Sequence, residues 1–140
     1  MQSRRLTQIY ACLTDETRLR ILSLLNDGPL CVNHLQEIMG VPQVQISKHL
    51  GYLRTRGMVE AKRHRNMMIY HLPLTAEPEV EQNLVCLRDC VRAIPMFIKD
   101  KEKLYRFLAK NGWLTDIANG YGIRPIQALK KGDRPRATTF

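Results

Sequence analysis

Apolar residues recur at helical spacing from the start of the chain. Leu6, Ile9, Tyr10 and Leu13 predict an amphipathic helix over residues 3–13. Thr14 or Asp15 then caps a second helix, DETRLRILSLLNDG, whose apolar face is Leu19, Ile21, Leu22 and Leu25, and Gly28 with Pro29 ends it. A short third helix, CVNHLQEIMG, turns Val32, Leu35 and Ile38 inward and stops at Gly40.

Pro42 opens a fourth helix, PQVQISKHLGYLRTRG. Ile46, Leu50 and Leu53 stand at i, i+4 and i+7 and must face a core. Gln43, Gln45, Ser47 and Lys48 then occupy the other side, with His49 beside them. After Gly57 the period changes from helical to alternating: MVEAKR and MMIYHL predict two strands joined by the basic turn HRN. Helical spacing returns near Glu79, with Val80, Leu84, Leu87, Val91 and Ile94 on one stripe, and Pro95 breaks or kinks that helix. A further amphipathic stretch, MFIKDKEKLYRFLAKNG, uses Phe97, Leu104, Phe107 and Leu108. From Trp113 the pattern fades into a basic, Gly- and Pro-punctuated tail expected to be loosely held.

A short helix, a turn and a core-anchored polar helix form a helix-turn-helix, and the hairpin behind it is a wing. The expected fold is therefore mainly α with a β-hairpin wing. Residues 1–94 are expected to form the winged helix-turn-helix domain, 95–112 a helical extension and 113–140 the tail.

Charge sharpens this picture. The 140 residues carry 22 Lys plus Arg against 13 Asp plus Glu, a formal net charge of +9. Such an excess favours a polyanionic partner, either nucleic acid or an anionic membrane face. Between residues 43 and 73, six Lys or Arg (48, 54, 56, 62, 63 and 65) face a single acid, Glu60, so the excess gathers on the fourth helix and the hairpin. No apolar run approaches the roughly eighteen residues of a membrane span, and the N-terminal basic residues lack the apolar block of a secretory signal. Four cysteines without such a signal read as reduced thiols of a cytoplasmic protein.

The B-DNA major groove admits a helix and displays distinguishable donors and acceptors. Gln43 and Gln45 can pair bidentately with adenine, and Ser47 can serve a base or a phosphate. Lys48, Arg54 and Arg56 suit phosphate contacts, which fix register. Arg63, His64 and Arg65 stand where a wing would meet the backbone or minor groove.

Three segments together, ACLTDETRLRILSLL, LCVNHLQEIMG and QISKHLGYLRTRGMVEAKRHRNMMIYHL, resemble the ArsR/SmtB family of bacterial winged-helix repressors. The resemblance spans about residues 6–94 and is most specific in DETRLRIL, ISKHLGYLRTRGMV and the wing ending IYHL. It implies a homodimer built on the first and last long helices, bound to double-stranded operator DNA at an inverted repeat and released by an inducer. The apolar stripe of the helix at 79–94 agrees with a two-fold partner.

Arsenic-sensing members carry Cys-Val-Cys at the start of the third helix. Here LCVNHL matches that motif at Cys31 but places Asn33 at the second position, so a three-thiolate site needs ligands from elsewhere. His34 either supports a borderline ion such as zinc or caps its helix. Cys86 and Cys90 lie one turn apart on the flank of the last stripe. They could chelate a soft ion, respond to oxidation or simply pack. The family's Asp/His zinc pattern is missing from this helix: Asp89 is present, but no histidine follows residue 71. Candidate metal ligands are thus Cys86, Cys90 and Cys31, with As(III) as the first inducer to consider and Zn or Cd after it; Cys12 is expected to pack. No cofactor is required. A regulator without metal sensing, oxidation-responsive or constitutive, stays open, as does a thiol enzyme or anionic-surface protein. No nucleophile elbow, P-loop or dinucleotide fingerprint supports an enzyme.

Overall fold

The computed structural model describes residues 3–110. In chain order the elements are α1 (Ser3–Cys12), α2 (Glu16–Leu25), β1 (Leu30–Cys31), α3 (Val32–Met39), α4 (Gln43–Thr55), β2 (Glu60–His64), β3 (Met67–His71), α5 (Pro78–Cys90) and α6 (Pro95–Lys110). The tail beyond residue 112 lies outside the described residues. Among those described, no helix is long and apolar enough to cross a membrane.

One core joins the helices. Ile9 of α1, Ile21, Leu22 and Leu24 of α2, Leu35 and Ile38 of α3, and Ile46, Leu50 and Leu53 of α4 are all buried in it. Each of these helices buries a stripe because its apolar residues return every three or four positions. The stripes run close to expectation, with instructive departures. Tyr10, placed on the inward face of α1 by its spacing, is 51% exposed, and Cys12 is fully buried in the same helix. Ile94 was expected to continue the stripe of α5, but that helix ends at Cys90 and leaves Ile94 exposed. Pro95 is not what ends α5, which stops at Cys90 with Val91 as its C-cap; it is instead the first residue of α6.

The helix ends follow local rules. The carboxylate of Asp15 accepts the Arg18 backbone N–H at 3.0 Å and caps α2. At the end of α4, Gly57 adopts φ +69°, letting its N–H reach Arg54 O at 3.1 Å and the Met58 N–H reach Leu53 O at 2.9 Å. This is a Schellman closure, and its left-handed residue is where glycine costs least. Pro42 precedes α4 as its N-cap in extended conformation rather than forming its first turn.

The sheet holds a strand that periodicity did not announce. Leu30 and Cys31 form β1, which pairs antiparallel with β3 in the register Leu30↔Tyr70 and Cys31↔Ile69. The sheet order is β1-β3-β2. The third helix was expected to begin at Cys31; instead Cys31 ends the strand and caps the helix. The wing is tighter than HRN suggested: His64 pairs with Met67, leaving Arg65–Asn66 as a two-residue loop with Arg65 at φ +55°. A non-glycine residue there costs on the order of 1 kcal/mol, a strain localised at the tip of the wing.

Helix α6 packs on α2 and α3. Phe97, Leu104 and Phe107 bury into the common core, as their spacing predicted. Two ion pairs fasten it. Arg20 of α2 donates to both carboxylate oxygens of Asp100 at 2.8 Å. Lys101 donates to Ser23 O at 2.6 Å and pairs with Asp27. Burial lowers the Lys101 pKa, against the pull of Asp27.

Candidate nucleic-acid interface

Because Ile46, Leu50 and Leu53 are fully buried, α4 has only one orientation available. Its other side presents Gln43, Val44, Gln45, Ser47, Lys48 and Arg54 to solvent. The structure therefore puts five sequence-predicted contacts, Gln43, Gln45, Ser47, Lys48 and Arg54, on the open side of one helix. In the wing, Arg63 and Arg65 are exposed as well.

His49 is placed differently. It is half-buried on the flank facing α2, with its Nδ1 3.4 Å from Arg18 Nη1 and its Nε2 3.9 Å from the Asp15 carboxylate. The Arg18 backbone N–H above all holds the Asp15 carboxyl below the usual carboxylate range, against burial, with lesser help from the charges of His49 and Arg18. Arg56 is also engaged by the protein. Its guanidinium stacks on the Tyr52 ring at 3.4 Å and donates to Tyr52 O at 3.0 Å, while Arg18 covers the same ring at 4.1 Å. Arg18 of α2 thus holds α4 through Tyr52 and His49. Arg18 further donates to Ala11 O and Cys12 O, closing the end of α1. Sequence periodicity gives no sign of these roles, because a partly buried arginine reads like any polar residue.

A second connection runs through Arg5. Its Nη1 donates to Arg56 O at 2.8 Å, and its Nε and Nη2 grip the Glu77 carboxylate at 3.0 and 2.6 Å. One guanidinium therefore ties the end of α4 to the N-cap of α5. The hydrogen bond from Arg5 in turn lowers the Glu77 carboxyl pKa.

The cysteines divide into two classes. Cys12 and Cys31 are buried, whereas Cys86 and Cys90 are exposed with their sulfurs 3.5 Å apart. The hydrogen bond with Cys86, then its charge, raises the Cys90 pKa. Burial pushes the Cys31 thiol up to about 11. Its sulfur lies 4.0 Å from Met67 Sδ, and its backbone N–H donates to His34 Nδ1 at 3.2 Å. Of the two roles open to His34, the structure shows capping. Burial lowers its pKa, with Glu37 opposing. Among the described residues, no three His, Cys, Asp or Glu side chains gather in a way that could hold a metal ion, so Cys31 is not brought into one cluster with Cys86 and Cys90.

Comparison with known proteins follows the same lines. Residues 15–61 match the family described as "Bacterial regulatory protein, arsR family". Over 92 residues the chain is 34% identical to the arsenical resistance operon repressor of Escherichia coli (strain K12), covering 62% of this chain and 79% of that protein. Its fold is similar to that of HlyU from Vibrio cholerae N16961, with TM-score 0.57 and 27% identity over 63% of this chain and 92% of the other. It is also similar to the homodimeric winged helix-turn-helix DNA-binding domain of Mb0332 from Mycobacterium bovis, with TM-score 0.54 and 24% identity over 63% of this chain and 79% of the other. A clamped helix with an open glutamine and lysine side, a basic two-stranded wing behind it and these likenesses agree. The chain belongs to the arsR family of bacterial regulatory proteins, and is a winged-helix, DNA-binding transcriptional regulator rather than an enzyme.

Proposed function

We propose that the chain acts as a homodimeric repressor which leaves its operator when a thiophilic metal or metalloid ion, arsenite foremost, binds the Cys86 and Cys90 thiolates. The observation that carries this is the exposed sulfur pair, 3.5 Å apart on α5. A tetrahedral zinc with Zn–S bonds of about 2.3 Å holds two sulfurs about 3.8 Å apart. The free pair therefore needs little rearrangement to become a chelate. The remaining coordination positions fall to water or to the second copy's pair. The Escherichia coli relative is named for arsenical resistance, which favours arsenite over other thiophilic ions.

The dimer forms through α1 and α5, whose Tyr10 and Val85 are 51% and 43% exposed. A two-fold axis then sets two α4 helices about one DNA turn apart, on an inverted repeat. Gln43 and Gln45 read base edges, while Ser47, Lys48, Arg54, Arg63 and Arg65 hold the duplex. His49 contributes by bracing α4 against α2. A hundredfold loss of affinity on ion binding corresponds to a coupling free energy of about 2.7 kcal/mol. Arg5 is the link through which movement of α5 reaches the end of α4.

The test uses reduced protein and operator DNA, with and without As(III), Cd(II) and Zn(II). The wild type should dissociate on adding the active ion, and the Cys86→Ser, Cys90→Ser double variant should stay bound. If the double variant dissociates as readily, the pair is not the sensor and Cys31 becomes the next candidate. The same sulfur contact also favours a second reading, release by oxidation. An i, i+4 disulfide sits near the upper Cα separation a bridge tolerates, about 6.8 Å. Release by diamide without any ion would select that reading.

A further inference from the structure

Val44 is 81% exposed, more than any other large apolar side chain among the described residues. It stands in the first turn of α4, between exposed Gln43 and Gln45 and one turn before Ser47 and Lys48 on the same side. Ile46, two positions on, points into the core and is fully buried. Val44 therefore cannot turn inward without unseating the helix. An isolated valine at this position gains nothing from burial within the chain, and its β-branch disfavours helix slightly. Its methyl groups are available only to something docked on the glutamine side of α4.

What docks there, on the reading of α4 as the helix that enters DNA, is the floor of the major groove. The first turn of such a helix reaches deepest toward base edges. Those edges present hydrogen-bonding groups and one apolar feature, the C5-methyl of thymine. We infer that Val44 reads that methyl, giving the regulator a thymine preference at one position of each half-site beside the bases contacted by Gln43 and Gln45. A cytosine methylated at C5 presents the same group and would satisfy the same contact. Burying one methyl-sized group is worth about 0.8 kcal/mol, which converts to roughly fourfold in affinity per half-site.

The experiment starts from a duplex that the reduced full-length chain selects out of a random pool. Each thymine of that duplex is then replaced singly by uracil, which removes only the methyl, and binding is measured for the wild type, Val44→Ala, Val44→Ser and Gln43→Ala. Circular dichroism and denaturant unfolding check that the exposed substitutions leave the fold intact. The wild type should lose about fourfold at one thymine per half-site. Val44→Ser should bind the thymine and uracil duplexes nearly equally there, Val44→Ala, which keeps one methyl, should show a smaller difference than the wild type, and Gln43→Ala should retain the discrimination. If every uracil effect is the same in the wild type and in both Val44 variants, the inference is overturned while DNA reading by α4 stands. If the chain selects no duplex at all, that reading falls, and this inference with it.

Discussion

Helices α4 and α5 are each thirteen residues long and bury three side chains at the same spacing: Ile46, Leu50 and Leu53 in one, Val80, Leu84 and Leu87 in the other. Both lack a side-chain cap at the N-terminus. Their exposed sides differ. Helix α4 contains no acidic residue and shows amides, a hydroxyl, Lys48 and Arg54, whereas α5 shows Glu81, Asp89, Arg88 and the two thiols. A duplex phosphate backbone would be drawn more strongly to the first than to the second, whose Asp89 is matched by Arg88 and Arg92. The same packing solution thus carries two chemistries, because the buried stripe and the exposed stripe of a helix can vary independently. What a helix does in this protein is written on the side that does not hold it in place.

The largest test of that independence is in the shared part. Leu50→Ala and Leu84→Ala should each cost about 2–5 kcal/mol in denaturant unfolding, with cavity formation adding to the lost burial. A loss confined to one helix would show that the two are not equivalent supports. Next come the exposed sides. Gln43→Ala should cost about 1–3 kcal/mol at one base pair and relax preference there, while Arg65→Ala weakens all duplexes alike and lowers the salt slope by about 1. The opposite outcome in binding assays would mean that the wing reads sequence and α4 only anchors.

A smaller effect concerns the support of α4 by α2. Asp15→Ala removes the cap of α2, which should cost about 1 kcal/mol in unfolding. Because the folded carboxyl pKa is lowered, this stabilisation is present above the ordinary Asp value and is lost as pH falls through the folded one. The difference between wild type and variant should accordingly vanish in acid; a gap that persists there would mean the carboxylate charge is not its source. Smallest of all, the double change of Cys86 and Cys90 to serine should leave stability within about 0.5 kcal/mol, as expected for exposed sites. Cys12→Ser, at a buried site, should cost clearly more in the same assay.

The sequence made the direction of α4 legible because three apolar residues at i, i+4 and i+7 allow only one inward side. The hairpin was legible for a similar reason, a change of period followed by a basic turn. Strand β1 was not, since two residues are too few to show any period and its hydrogen bonds come from β3, some forty positions along the chain. The placement of His49 was missed because its partners, Asp15 and Arg18, lie in another helix. Tyr10 misled because its spacing fits the stripe of α1, while the residues that helix buries are Ile9 and Cys12.

By itself the sequence determined which residues each helix must bury, which polar groups are left on the side of α4 away from the core, and that two thiols stand one turn apart. These follow from helix geometry over a few residues, which any chain segment carries with it. Only the tertiary structure decided that Arg20 and Asp100, 80 residues apart, would pair and fasten α6. It also decided that Arg5 would join the ends of α4 and α5, and that Cys86 and Cys90 would be exposed while Cys31 is buried. Such partnerships depend on which surfaces meet once the core has closed, and local spacing has no term for that.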